Sequence, residues 1–105
     1  MMSEPSTLYA TLLGQTAEIS WQELQPHFAK GTLLKVDTEL DLIEAAVAIV
    51  EDDAAKVSAW LSSARLGKVS EDDAQQFLEA NTVFWAVVVA PWVLIQVRER
   101  AVTKS

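Results

Sequence analysis

Thirteen consecutive apolar residues, Val83 to Ile95, with a proline in ninth place, constrain this chain more than any other feature. A helix crossing a bilayer takes roughly 20 such residues. The run falls short of that, Pro91 would interrupt the helix, and Arg98, Glu99 and Arg100 follow at once, so extending the segment into hydrocarbon would bury charge. The stretch is therefore read as protein interior and not as a membrane anchor. Val87-Val88-Val89 and Trp92 to Val97 are rich in β-branched and aromatic residues, which suit extended backbone, while Pro91 requires a turn, bulge or break between them. A strand is predicted over 92–98. For Thr82 to Val89 two readings stand, a strand or a short buried helix capped by Asn81, because periodicity does not separate them.

The rest of the chain carries clearer signals. Leu8, Leu12 and Leu13 behind a Ser6 or Thr7 cap predict a short amphipathic helix from Ser6 to about Ala17. Ser20 and Glu23 form a capping-box pattern ahead of Trp21, Leu24 and Phe28, and Gly31 supplies the stop. Pro26 lies too far inside for the first turn, so this second helix is expected to kink or restart there. Thr32 to Val36 reads as a short strand between Gly31 and Asp37. Beyond it, Thr38 and Asp41 offer a cap, and Leu40, Ile43, Val47, Val50, Ala54, Val57, Leu61 and Ala64 recur at steps of three and four. That is coiled-coil spacing, but Glu51-Asp52-Asp53 cuts it in half, and Asp is a weak helix former and a strong cap. Two helices, about 39–50 and 54–65, are preferred. Ser70 and Asp73 then open a helix over 71–80, whose positive end receives Glu71, Asp72 and Asp73. The extended pieces 32–36 and 92–98 need each other's hydrogen bonds. The expectation is a mostly helical α+β chain, a single domain over 1–105 with a short two- or three-stranded sheet and flexible ends at 1–6 and 100–105.

Eight Lys plus Arg against fifteen Asp plus Glu leave a net charge of -7, which repels phosphate backbones and anionic lipid surfaces. Neither nucleic acid nor a membrane is an expected partner. With no cysteine there is no disulfide framework, no zinc-thiolate site and no thiol nucleophile. The N-terminus lacks the basic region of a secretory signal, and a cytoplasmic location is expected.

"LDLIEAAVAIVEDD", "VSAWL" and above all "FWAVVVAPWVLIQ" resemble the short bacterial proteins grouped as domain of unknown function twenty-two eighty-eight (DUF2288), over roughly residues 8 to 97. The last motif is the specific part, since Trp-Ala-Val-Val-Val-Ala-Pro-Trp-Val-Leu is an unusual order. The resemblance implies a bacterial source and assigns no activity, and it carries no catalytic residue across.

Chemistry finds little support in the residues themselves. The three glycines, at 14, 31 and 67, are isolated, so a glycine-rich phosphate loop is absent, and no serine nucleophile elbow occurs. The acids show no EF-hand order, and caps and solvated faces account for them, so no metal and no cofactor are expected. His27 is the one histidine and reads as a boundary residue beside an apolar stripe. A small enzyme or ligand-binding protein would need His27 to converge with carboxylates such as Glu51, Asp52 or Asp53. An acidic decoy for a nucleic-acid-binding protein would need the acids on one continuous face. The favoured reading is a protein-interaction or structural module, a homodimer or a binder of another protein, in contact through its apolar C-terminal segment. Large rings fill small cores efficiently, so core is the first reading for each of Trp21, Trp60, Trp85 and Trp92. Trp85, Trp92, Val93 and Ile95 are the candidate partner-binding residues.

Overall fold

A computed structural model describes residues 5–98. Its elements are helices α1 (Pro5–Gln15), α2 (Trp21–Lys30), α3 (Leu42–Val50), α4 (Ala54–Ser62) and α5 (Glu71–Ala80), and strands β1 (Ala17–Ser20), β2 (Leu33–Val36), β3 (Leu66–Lys68), β4 (Val83–Val89) and β5 (Trp92–Val97). The flexible ends expected at 1–6 and 100–105 lie outside the described residues, except that Pro5 and Ser6 open α1.

The expectation of an α+β chain stands, but the sheet is larger than predicted: five strands in the order β1-β4-β5-β2-β3. β1 and β3 have the sequences Ala-Glu-Ile-Ser and Leu-Gly-Lys, which hold too few β-favouring residues to stand out as the equally short β2 does. The apolar run folds as a hairpin. Val89 lies opposite Trp92, and Ala90-Pro91, joined by a cis peptide, forms the two-residue connection. Residues 82–89 are thus strand and not helix. The two predicted extended pieces do pair, β2 running parallel to β5 with Leu34 opposite Leu94, and every other pairing is antiparallel.

Helices cover both faces of this sheet. One core, under α1, α3 and α4, gathers Leu12, Val36, Ile43, Ala46, Leu66, Val87 and Leu94. The other, under α2 and α5, is built on Trp21, Leu24, Phe77, Phe84, Val93 and Ile95, with Phe77 edge-on to Phe84 at 4.8 Å and Trp21 stacked at a tilt on Phe28, Phe77 and Phe84. Because β5 is an inner strand between two helical layers, Val93, Leu94 and Ile95 are buried on alternating sides, which is why the strand is apolar without a break from Trp92 to Ile95.

The caps explain the helix ends. Ser20 accepts from the Glu23 N–H, Gly31 closes α2 in a left-handed conformation at φ 74°, and Ser70 with Asp73 completes a capping box at α5. Of the kink or restart expected at Pro26, the restart does not occur: α2 runs unbroken, with Pro26 on its exposed side. Residues 39–65 are two helices, as the acids at the break implied. Asp53 caps α4 through the Lys56 N–H, and Asp52 takes a left-handed turn at φ 57° that Asp tolerates better than most residues. Both helices are shorter than 39–50 and 54–65. Asp41, not Thr38, is the cap of α3, and a second left-handed residue, Ala64, ends the α4 turn.

Candidate functional site

Alternation along β4 decides what the C-terminal run can offer. Phe84 and Ala86 face the α2–α5 core, whereas Val87 and Val89 face the α1–α3 core. Trp85 shares the second face but sits one step beyond the cover of α1 and α3, and 38% of it is exposed. Its neighbours across the sheet are Glu18 on β1 and Gln96 on β5.

Around Trp85 the chain leaves an open cleft of ≈ 580 Å³. Tyr9 and Leu13 of α1, with Thr16 just past its end, form one wall. The segment from Thr38 to Ile43, leading into α3, forms the other, and Trp85 and Gln96 supply the floor. The second wall is held rigidly for a connecting segment. Gln96 Nε2 donates to the carbonyls of Asp37 at 2.8 Å and Leu40 at 2.6 Å, tying the loop to the sheet. Asp41 Oδ1 accepts from the Ile43 and Glu44 N–H groups at the head of α3, while its Oδ2 accepts from the Tyr9 hydroxyl at 2.6 Å, joining the two walls. That hydrogen bond raises the Tyr9 pKa above its ordinary value, with desolvation and the charges of Asp41 and Glu44 adding in the same direction. Beside the cleft, the Arg98 guanidinium lies 5.7 Å from the Trp85 ring centroid and pairs with Glu18 at 2.6 Å.

The four expected contact residues are divided by the fold. Trp92, half-buried, lies on the same sheet face as Trp85 but at the far end of the hairpin, in a separate cleft of ≈ 480 Å³ lined by Ile49, Asp52, Asp53, Val57, Leu61 and Lys68, with Lys68 over its ring at 5.7 Å. Val93 and Ile95 are core: 5% and 0% exposed, they point into the α2–α5 layer and are not offered to a partner. β5 lies between β4 and β2, whereas β1 covers β4 only from Val83 to Ala86, so Val87 to Val89 have no strand neighbour on that side. Of the other tryptophans, Trp21 is buried and Trp60 is half-buried against the α1–α3 core. The residues sequence reasoning missed are Tyr9, Leu13 and Gln96. Leu13, 54% exposed on an otherwise short apolar stripe, was the one detectable signal.

The constellation required for chemistry does not assemble. His27 is on α2, on one side of the sheet, while Asp52 and Asp53 line a cleft on the other, and Glu51 is exposed at the end of α3. Among the described residues, no group of three or more His, Cys, Asp or Glu side chains is placed to hold a metal ion, and no helix is long and apolar enough to cross a membrane.

Fold and cleft define a class: a small α+β domain in which a central mixed sheet carries helices on both faces and opens at one end on a half-exposed tryptophan. The chain belongs to the family described as "Protein of unknown function (DUF2288)", whose model matches residues 7–97. It is similar to a protein solved in solution, PA1075 from Pseudomonas aeruginosa, at 58% identity over 100% of this chain and 97% of that one, with a TM-score of 0.80. No curated protein matches it.

Proposed function

We propose that this chain is a protein-interaction module that receives its partner at the Trp85 cleft. The observation that carries the reading is a large aromatic ring, 38% exposed, on a strand whose backbone is paired on both sides, so that the ring is presented by a rigid floor. Tryptophan held in this way loses little freedom on contact and is the residue type most enriched at binding hot spots. Leu13, in the opposite wall, and Val83, two residues before Trp85 on the same strand face, are exposed as well and extend the apolar surface. Self-association is one form of this reading, by side-chain packing of two such surfaces.

A photoreactive amino acid at Leu13 of the full chain, compared with one at Gln76 on exposed α5, tests the proposal in cells. Crosslinks to protein from position 13 and none from position 76 are expected. A product of twice the chain's mass identifies a second copy, and any other mass a different polypeptide. Equal yields from both positions, or none from either, would overturn the assignment of the cleft.

A further inference from the structure

We infer that the occupant of the Trp85 cleft is a basic segment of another protein, one that places a Lys or Arg side chain against the indole and an aliphatic neighbour against Leu13 and Leu40. This deepens the interaction reading above and rests on it.

The charged residues that line the cleft are negative, and the one cation beside it, Arg98, is paired with Glu18. Glu39 and Asp41 are among its lining residues, and none of those residues is Lys, Arg or His. Asp37 lies in the same loop and Glu44 in the first turn of α3, both exposed. The Tyr9 hydroxyl, whose pKa is raised first by its hydrogen bond to Asp41, is held higher still by the charges of Asp41 and Glu44. An indole attracts a cation to its face, and a nearby carboxylate strengthens the pairing. The molecule already displays this chemistry on the same ring: Arg98 sits 5.7 Å from the Trp85 centroid with Glu18 as its counter-ion. Leu13 and Leu40 supply apolar contact beside the charged wall, which fits a peptide and not a bare cation. A second copy meeting the same surface would set Glu39 and Asp41 against their own equivalents, and like charges across an interface disfavour wrong partners. The overall charge of -7 adds long-range attraction for a basic chain and repulsion for nucleic acid.

The test is a titration of the isotope-labelled full chain with three short peptides, Ala-Leu-Arg-Leu-Ala, Ala-Leu-Gln-Leu-Ala and Ala-Leu-Glu-Leu-Ala, followed by NMR at the Trp85 indole and the Gln96 side-chain amide. The arginine peptide is expected to shift both signals, to bind about tenfold more tightly than the glutamine peptide, and to lose that advantage in Glu39→Lys or in high salt. Equal binding of all three would overturn the basic occupant while leaving the cleft an interaction surface. Binding of the arginine peptide that shifts other residues and leaves Trp85 unmoved would overturn both. A Trp85→Leu variant that keeps the full preference for arginine would likewise refute the cation–indole contact.

Discussion

Phe84 and Trp85 are adjacent in sequence and opposite in environment, so paired alanine substitutions test the sidedness of β4. The Phe84 ring is 0% exposed, packed edge-on against Phe77 at 4.8 Å and within 6.1 Å of Trp21. Truncating a buried phenylalanine costs about 3–5 kcal/mol through lost transfer energy and the cavity left behind. Its aromatic pairs are each worth a further ~0.5–1.5 kcal/mol beyond area alone, which places Phe84→Ala in the upper part of that range, about 4 kcal/mol. Trp85 already has 38% of its surface in water, and its removal opens an existing cleft instead of creating a cavity. Trp85→Ala should therefore cost about 1–2 kcal/mol. Urea unfolding followed by circular dichroism measures both: with a slope of about 1.5 kcal/mol per molar, Phe84→Ala lowers the midpoint by about 2–3 M and Trp85→Ala by about 1 M. Equal losses, or a Phe84→Ala loss under about 1 kcal/mol, would refute the register, because a one-residue slip exchanges the two faces.

Ser70→Ala removes the hydroxyl that accepts from the Asp73 N–H and should lower unfolding free energy by about 1 kcal/mol in the same assay. Burial pushes the Asp73 carboxyl up, but hydrogen bonds from Lys35 at 2.8 Å and from Ser70 outweigh it and hold its pKa below the ordinary value. The stability tied to that lowered pKa is fully present above the unfolded-state value and is lost as pH falls through the folded-state value. From about pH 4 downward the natural chain should then lose stability more steeply than Asp73→Asn, and parallel acid profiles would contradict the pairing. Gly31→Ala forces a side chain into φ 74° at the end of α2 and should cost about 1 kcal/mol by urea unfolding. Ile95→Ala should destabilise by about 2–5 kcal/mol while leaving peptide affinity at the Trp85 cleft unchanged where the protein is still folded.

Local chemistry made much of the fold legible. Ser20, Asp41, Asp53 and Ser70 announce helix starts through side-chain acceptors, and the acids at 51–53 separate two helices that spacing alone would have fused. The edge strands stayed hidden because Ala-Glu-Ile-Ser and Leu-Gly-Lys hold few β-favouring residues, and without them the sheet looked small. Site residues were harder still. Trp92 to Ile95 is apolar at every position because helices cover both faces of β5, so the sequence of that strand does not tell which side chains remain at the surface. Trp85 and Trp92 differ in surroundings only through tertiary placement, one opposite Gln96 and the other opposite Val89 at the turn. The cleft itself joins residues 9–16, 38–43, 85 and 96, a convergence that requires the parallel β2–β5 pairing and the Gln96 anchor of the loop. Sequence spacing carries no record of either.

The chain's four tryptophans provide the most direct measurement of where it makes contact. Their indole N–H signals, from Trp21, Trp60, Trp85 and Trp92, resolve in a two-dimensional NMR spectrum of the labelled chain, recorded in buffer and again in concentrated bacterial lysate. Selective broadening or movement of the Trp85 signal is expected, with the other three changed only by the common effect of viscosity. A selective change at Trp92 with Trp85 unmoved would contradict this expectation and shift the contact to the far end of the hairpin.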